Sequence, residues 1–311
     1  MVPVGAGRPA QDGGTLDEVP EDVERFPALE HLRWSRRPQL HAPVLLVAFA
    51  GWSDAGDAAT TAVRFFDETW EARPFAAIDP EHFYDFSSTR PLVRLDDNDQ
   101  REIVWPENTF ASASVAGTDL DVITLTGVEP QLHWRTFCDQ IVGVARLFDA
   151  KLVVTFGALL AEVPHARPVS IFGVGHASDS ARKLNLLQSR YEGPTGITGV
   201  LQASCREAGI NAASLWAAVP TYVPSAPSPK AALALVERAN SMLGVETENL
   251  ELSNAATEYE NEVSELVDDD EETSEYVRQL EERYDADEPR LFADDAPRLV
   301  EEVERFLRDQ D

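Results

Sequence analysis

Lysine is scarce in this 311-residue chain, which contains only Lys151, Lys183 and Lys230. With arginine they make 26 basic residues against 55 acidic ones, a formal charge of −29. So negative a surface has the wrong field for nucleic-acid phosphates or anionic lipid heads, so no nucleic acid and no membrane is expected as a partner. Cysteine is nearly missing as well. Cys138 and Cys205 stand 67 positions apart with no CxxC spacing, so neither a disulfide framework nor a zinc site is signalled. Both read as reduced core thiols of a cytoplasmic protein. Long apolar runs are absent too. The best, Ala42 to Ala50, contains Pro43 and falls far short of the ~20 residues of a spanning helix. Residues 1–14 lack the basic start and apolar stretch of a secretory signal.

What is present is enough apolar residue, 43% of the chain, for a sizeable core in one large domain or two smaller ones. The charge is unevenly spread. From Val245 to Asp311 there are 25 acidic and 6 basic residues, so this stretch holds about two thirds of the net charge. Three divisions follow. Residues 1–40 read as an N-terminal extension, partly mobile; 41–244 as an α/β core; 245–311 as an acidic helical subdomain.

In the core, short β-rich runs alternate with helical periodicity. Val44–Ala50, Asp121–Thr126, Lys151–Phe156, Val169–Val174 and Ala213–Val219 read as strands, the second and third closed by Gly127 and Gly157. Ala55–Trp70, Gln131–Phe148, Gly196–Ala208 and Lys230–Leu243 read as helices. Such alternation predicts a mainly parallel sheet covered on both faces. In the acidic end, Leu252, Tyr259, Val263, Leu266 and Val267 fall at helical spacing, as do Tyr276, Leu280 and Tyr284. A last helix is expected after Pro297.

Four loops carry the candidate chemistry. Gly51-Trp52-Ser53-Asp54-Ala55-Gly56 turns from a buried strand into a helix, a place where backbone N–H groups hold an anion. It lacks the Lys-Ser/Thr ending of a P-loop, and Ala55 replaces the last glycine of a nucleophile elbow. The plainer reading is that Ser53 or Asp54 caps the helix. Asp79, Glu81, His82, Asp85 and Arg90 make a second cluster, suited to acid–base work or to a loop stitched by Asp–backbone bonds. Third, His165 and Arg167 sit between Pro164 and Pro168 beyond a strand end, where open α/β sheets bind ligands. Fourth, Gly193-Pro194-Thr195-Gly196 precedes a helix, with Thr195 the expected N-cap.

These motifs in order, together with Trp105-Pro106, Glu129-Pro130 and Ser214-Leu215-Trp216, resemble the PAC2 family, named for proteasome assembly chaperone 2. The resemblance covers roughly Ala42 to Tyr284. It implies an α/β fold with a three-layer α/β/α core like the phosphorylase/hydrolase-like fold, plus a C-terminal acidic helical addition. It also implies homo- or hetero-oligomers, the former expected here, and a chaperone or assembly factor acting by protein contact, with proteasome subunits as candidate partners. The end Arg308–Asp311 has no hydrophobic–Tyr–X tail, so docking by such a tail is not expected. No cofactor or metal is expected. The alternative is an enzyme or small-ligand-binding protein, hydrolase/phosphorylase-like or ATP-grasp-like, with a pocket from Gly51, Ser53, Asp54, Asp79, Asp85, Arg90, Glu129, His165, Arg167, Gly193 and Thr195.

Overall fold

The computed structural model describes residues 29–96, 98–175 and 193–291, with side chains to residue 286. Among these residues ten strands form in chain order: β1 Leu32–Trp34, β2 Val44–Ala50, β3 Arg73–Ile78, β4 Leu92–Leu95, β5 Arg101–Val104, β6 Asn108–Ser114, β7 Asp121–Val128, β8 Leu152–Ala161, β9 Ile171–Gly175 and β10 Ala212–Pro220. Among the described residues six α-helices accompany them: α1 Ala58–Thr69, α2 Trp134–Leu147, α3 Ile197–Glu207, α4 Pro229–Leu243, α5 Leu250–Asp268 and α6 Glu271–Leu291.

Eight strands make one sheet in the order β1-β3-β6-β7-β2-β8-β10-β9. Its centre, β7-β2-β8-β10, is parallel. The run Val44–Ala50 is apolar throughout because both its faces are covered. Leu45, Val47 and Phe49 join one core with α2 and α3, and Val44, Leu46 and Ala48 join a second core with α1 and α4. The result is three layers, α/β/α.

The flanks depart from the parallel expectation. β1, β3 and β6 run antiparallel in series onto β7, and β9 is antiparallel to β10. Strands β3 (RPFAAI) and β6 (NTFASAS) are rich in Ala and Ser, so they give little hydrophobic signal in sequence. Residues 29–40 are also more than an extension: Leu29 and Leu32 are buried and β1 pairs with β3.

Gly127 and Gly157 do not close their strands, which run on to Val128 and Ala161. They are sites of close approach. A Cβ on Gly157 would lie 2.5 Å from the Trp216 ring of β10, and one on Gly127 would lie 2.2 Å from Asn108 Oδ1. Only glycine leaves that room.

In the acidic region, Tyr259, Val263, Val267 and Val277 form a small core against Tyr222, Val223 and Ala226. Leu280 is buried as well, whereas Leu266 faces out. The helix expected after Pro297 lies outside the described residues. No described helix is long and apolar enough to cross a membrane. Cys138 and Cys205 are free thiols in the core shared by α2 and α3, and burial pushes both up to about 12.

Candidate functional site

Strands β2 and β7 lie side by side, yet the helices that follow them cover opposite faces of the sheet. This is the reversal point at which open α/β sheets form a crevice beyond the strand ends. Glu129 occupies it. Its Oε2 accepts from Trp52 N–H at 3.0 Å and its Oε1 accepts from Ile197 N–H at 3.1 Å, the first turn of α3. One carboxylate thereby ties two loops together and neutralises a helix N-terminus. Gly51, at φ 144°, sits so close that a Cβ would lie 3.0 Å from Glu129 Cβ. Gly196 is as tightly held, its would-be Cβ 3.0 Å from Ser53 Oγ and from the Trp52 ring. Thr195 is exposed and does not cap α3. Gly196 is the N-cap residue, without a side-chain bond, and Glu129 supplies the missing acceptor from another loop. Gly193, also exposed, begins this turn.

Asp54 points away from that crevice. Its Oδ1 accepts from the N–H groups of Ala59 (2.7 Å) and Thr60 (3.1 Å), and its Oδ2 accepts from Thr60 Oγ1 (2.6 Å). All three lie at the start of α1, so Asp54 is a buried helix cap. Burial pushes its carboxyl up, while the bonds from Thr60 and Ala59 pull it back. Ser53 is buried too, with no side-chain partner among the described residues.

The Asp79–Arg90 segment is a stitched loop beside the turn that follows β7. Asp79 caps a one-turn helix through Glu81 N–H and meets Arg33 Nε at 3.8 Å. Asp85 accepts from the N–H and hydroxyl of Ser87 and the hydroxyl of Ser88, which holds its carboxyl below the usual range. Gln131 Oε1 accepts from Asp85 N–H, and Phe83 O accepts from the N–H groups of Gln131 and Leu132. Arg90 is exposed.

His165 and Arg167 form a separate group, where the turn after β8 meets the C-terminal helices. Tyr222 OH accepts from His165 N–H at 2.7 Å and can donate to His165 Nδ1 at 2.9 Å. That leaves Nε2–H to donate to Ser264 Oγ at 3.0 Å, and Ser264 donates onward to Glu260 O. This pattern fits the neutral ring. Burial lowers the affinity of His165 for a proton, and Lys230 lowers it further. Lys230 Nζ donates to His165 O and to Glu260 Oε2. Arg167 grips Asp285 through two parallel bonds of 2.7 and 2.8 Å and Glu281 through a third at 3.0 Å. The cavity against His165, Ser228, Lys230 and Tyr259 measures about 10 Å³, room for roughly one water.

The structure therefore brings Gly51, Ser53, Glu129 and the Thr195–Gly196 turn together, with Asp85 close by. It sets His165 and Arg167 in a different group, whose polar atoms clamp α5 and α6 to the core. Lys230, Tyr222, Ser264 and Glu260 were not singled out from sequence. Nothing in their local pattern distinguishes them from solvated polar residues. Among the described residues no cluster of three or more His, Cys, Asp or Glu is placed to hold a metal.

A mixed sheet with a parallel centre, layered between helices and extended by a clamped acidic helix pair, defines an α/β/α class of protein. The family within that class follows from the match of residues 48–267 to the PAC2 family model: the chain belongs to the PAC2 family. It is similar to a PAC2 family protein from Streptomyces avermitilis, at 44% identity and TM-score 0.71 over 76% of this chain and 99% of that one. It is likewise similar to a Mycobacterium tuberculosis proteasome-assembly chaperone homologue, at 44% identity and TM-score 0.69, covering 75% of this chain and 99% of that one. The fold extends to PbaB of Pyrococcus furiosus, described as an archaeal proteasome activator, at 16% identity and TM-score 0.63 over 76% and 97% of the two chains. Comparison with curated proteins finds no match.

Proposed function

We propose that this chain is an assembly chaperone that works through protein–protein contact as a homo-oligomer, with proteasome subunits as its clients. The observation that carries the reading is its 44% identity to a proteasome-assembly chaperone homologue across nearly all of that chain. The loops support it. Asp54, Glu129, His165 and Arg167 are all bonded within the protein, so a substrate pocket gathering these residues would have to break existing bonds. Exposed apolar side chains, Trp52 and Leu132 among them, lie instead on the surface around Glu129. Two free thiols buried in one core suit a reducing compartment, and we assign the protein to the cytoplasm.

The test is co-purification. The full chain is mixed with separately expressed proteasome α-type subunits of the same organism, and native mass is followed. A stable complex of chain and subunits, dissolving as complete particles form, is the expected outcome. Absence of any complex, together with magnesium-dependent ATP hydrolysis by the purified chain, would replace this reading with the enzyme.

A further inference from the structure

Helix α4 starts at the wall of the small cavity beside His165. Ser228 is its N-cap, accepting from Ala231 N–H at 3.4 Å, and Pro229 takes the first helical position. Ser228 and Lys230 both line the cavity, so the positive end of a 15-residue helix borders it. The charged side chains of the lining have one sign. Arg167 and Lys230 belong to it, and no Asp or Glu does. The carboxylates paired with them, Glu260 on Lys230 and Glu281 and Asp285 on Arg167, hold them from outside the cavity. Lys230 Nζ commits two of its three protons, to His165 O and to Glu260 Oε2, which leaves one.

Tyr259 is a second, independent sign of an occupant. It lines the same cavity at 6% exposure, and its hydroxyl has no hydrogen-bond partner among the described residues. Burial pushes that hydroxyl up and the Ser228 hydroxyl beside it pulls it back, but the two are not aligned as a bond. A buried hydroxyl left unmet is costly, so a donor at the edge of a cavity calls for an acceptor inside it.

We propose that this cavity binds one monatomic anion of chloride size, held by Tyr259 O–H, by Lys230 Nζ and by the start of α4. Three constraints choose it. Lys230, Arg167 and the helix end together repel a cation. About 10 Å³ admits a single small occupant, which excludes sulfate, phosphate and organic carboxylates. A water would meet the Tyr259 hydroxyl but would bring no charge to balance two cations and a helix N-terminus. Seated there, the anion joins the turn between β8 and β9, the start of α4 and the middle of α5. It is then part of what holds the acidic helix pair to the core.

The test needs no client. Tyr259→Phe removes the hydroxyl and keeps the ring in its small core. Melting of the full chain is compared in sodium chloride and in sodium gluconate at equal ionic strength, so that screening cancels and gluconate is too large to enter. An anion site with a Kd of about 30 mM shifts the unfolding equilibrium about tenfold at ~0.3 M chloride, or roughly 3 °C in Tm. Wild type should show that gain, and bromide should reproduce it. Tyr259→Phe should lose most of the gain with unchanged circular dichroism. In crystals grown in bromide, an anomalous peak should lie between Tyr259 and Lys230. Equal melting of wild type in chloride and gluconate, an equal chloride gain in Tyr259→Phe, or a water without anomalous signal at that point would each overturn the proposal.

Discussion

Asp54→Ala removes the acceptor for three donors at the start of α1: Ala59 N–H, Thr60 N–H and Thr60 Oγ1–H. Both Ala59 and Thr60 are at most 1% exposed, so water cannot easily replace the lost oxygens. A buried unmet donor costs about 1–3 kcal/mol, and a lost helix cap about 1 kcal/mol. Relief from burying an ionised group offsets part of this, since desolvation dominates the environment of Asp54. A net loss of about 3 kcal/mol remains. At roughly 2–4 °C per kcal/mol for a domain of this size, Tm should fall by about 6–12 °C in calorimetry. Asp54→Asn keeps one oxygen facing the two N–H groups and should cost only about 1 kcal/mol. Unchanged melting of Asp54→Ala would refute the cap. Equal damage from Asp54→Asn would show that the charge is needed, as at a cation or ligand site.

Two further outcomes are expected. Because the proton affinity of folded His165 lies below the ordinary histidine value, the unfolded chain binds more protons near that value. Its contribution to stability is therefore full above pH ~6.5 and is lost as pH falls toward the folded pKa. Melting scans between pH 7 and 5.5 should fall more steeply for wild type than for His165→Gln; parallel slopes would remove His165 as the source. A chain ending at Gly244 should aggregate or change its mass in solution, because it uncovers Tyr222, Val223, Ala226 and the His165 turn. Soluble protein with unaltered mass and melting would count against a structural role for α5 and α6.

The central strands and their helices were legible in the sequence because each is long, apolar and bounded by turn residues. Val44–Ala50 is the clearest, since burial on both faces leaves no polar position in it. The flanking strands were not legible. Ala76, Ala111 and Ser112 earn their places by pairing rather than by hydrophobicity, and pairing is invisible along a single chain. Helical spacing likewise announced α5 without saying which face it buries: Val263 turned inward and Leu266 outward.

For the loops, the residue types alone fixed a short list of candidates, and the helix-capping reading of Asp54 was already available from its place before an apolar helix. Sequence could not choose the partners. Glu129 meets Ile197 across 68 positions, and Arg167 meets Asp285 across 118. Whether a carboxylate faces a ligand, a helix terminus or an arginine is set by which strands lie side by side. That order is decided only when the whole sheet closes its two cores at once, because each face must be buried by elements distant in the chain.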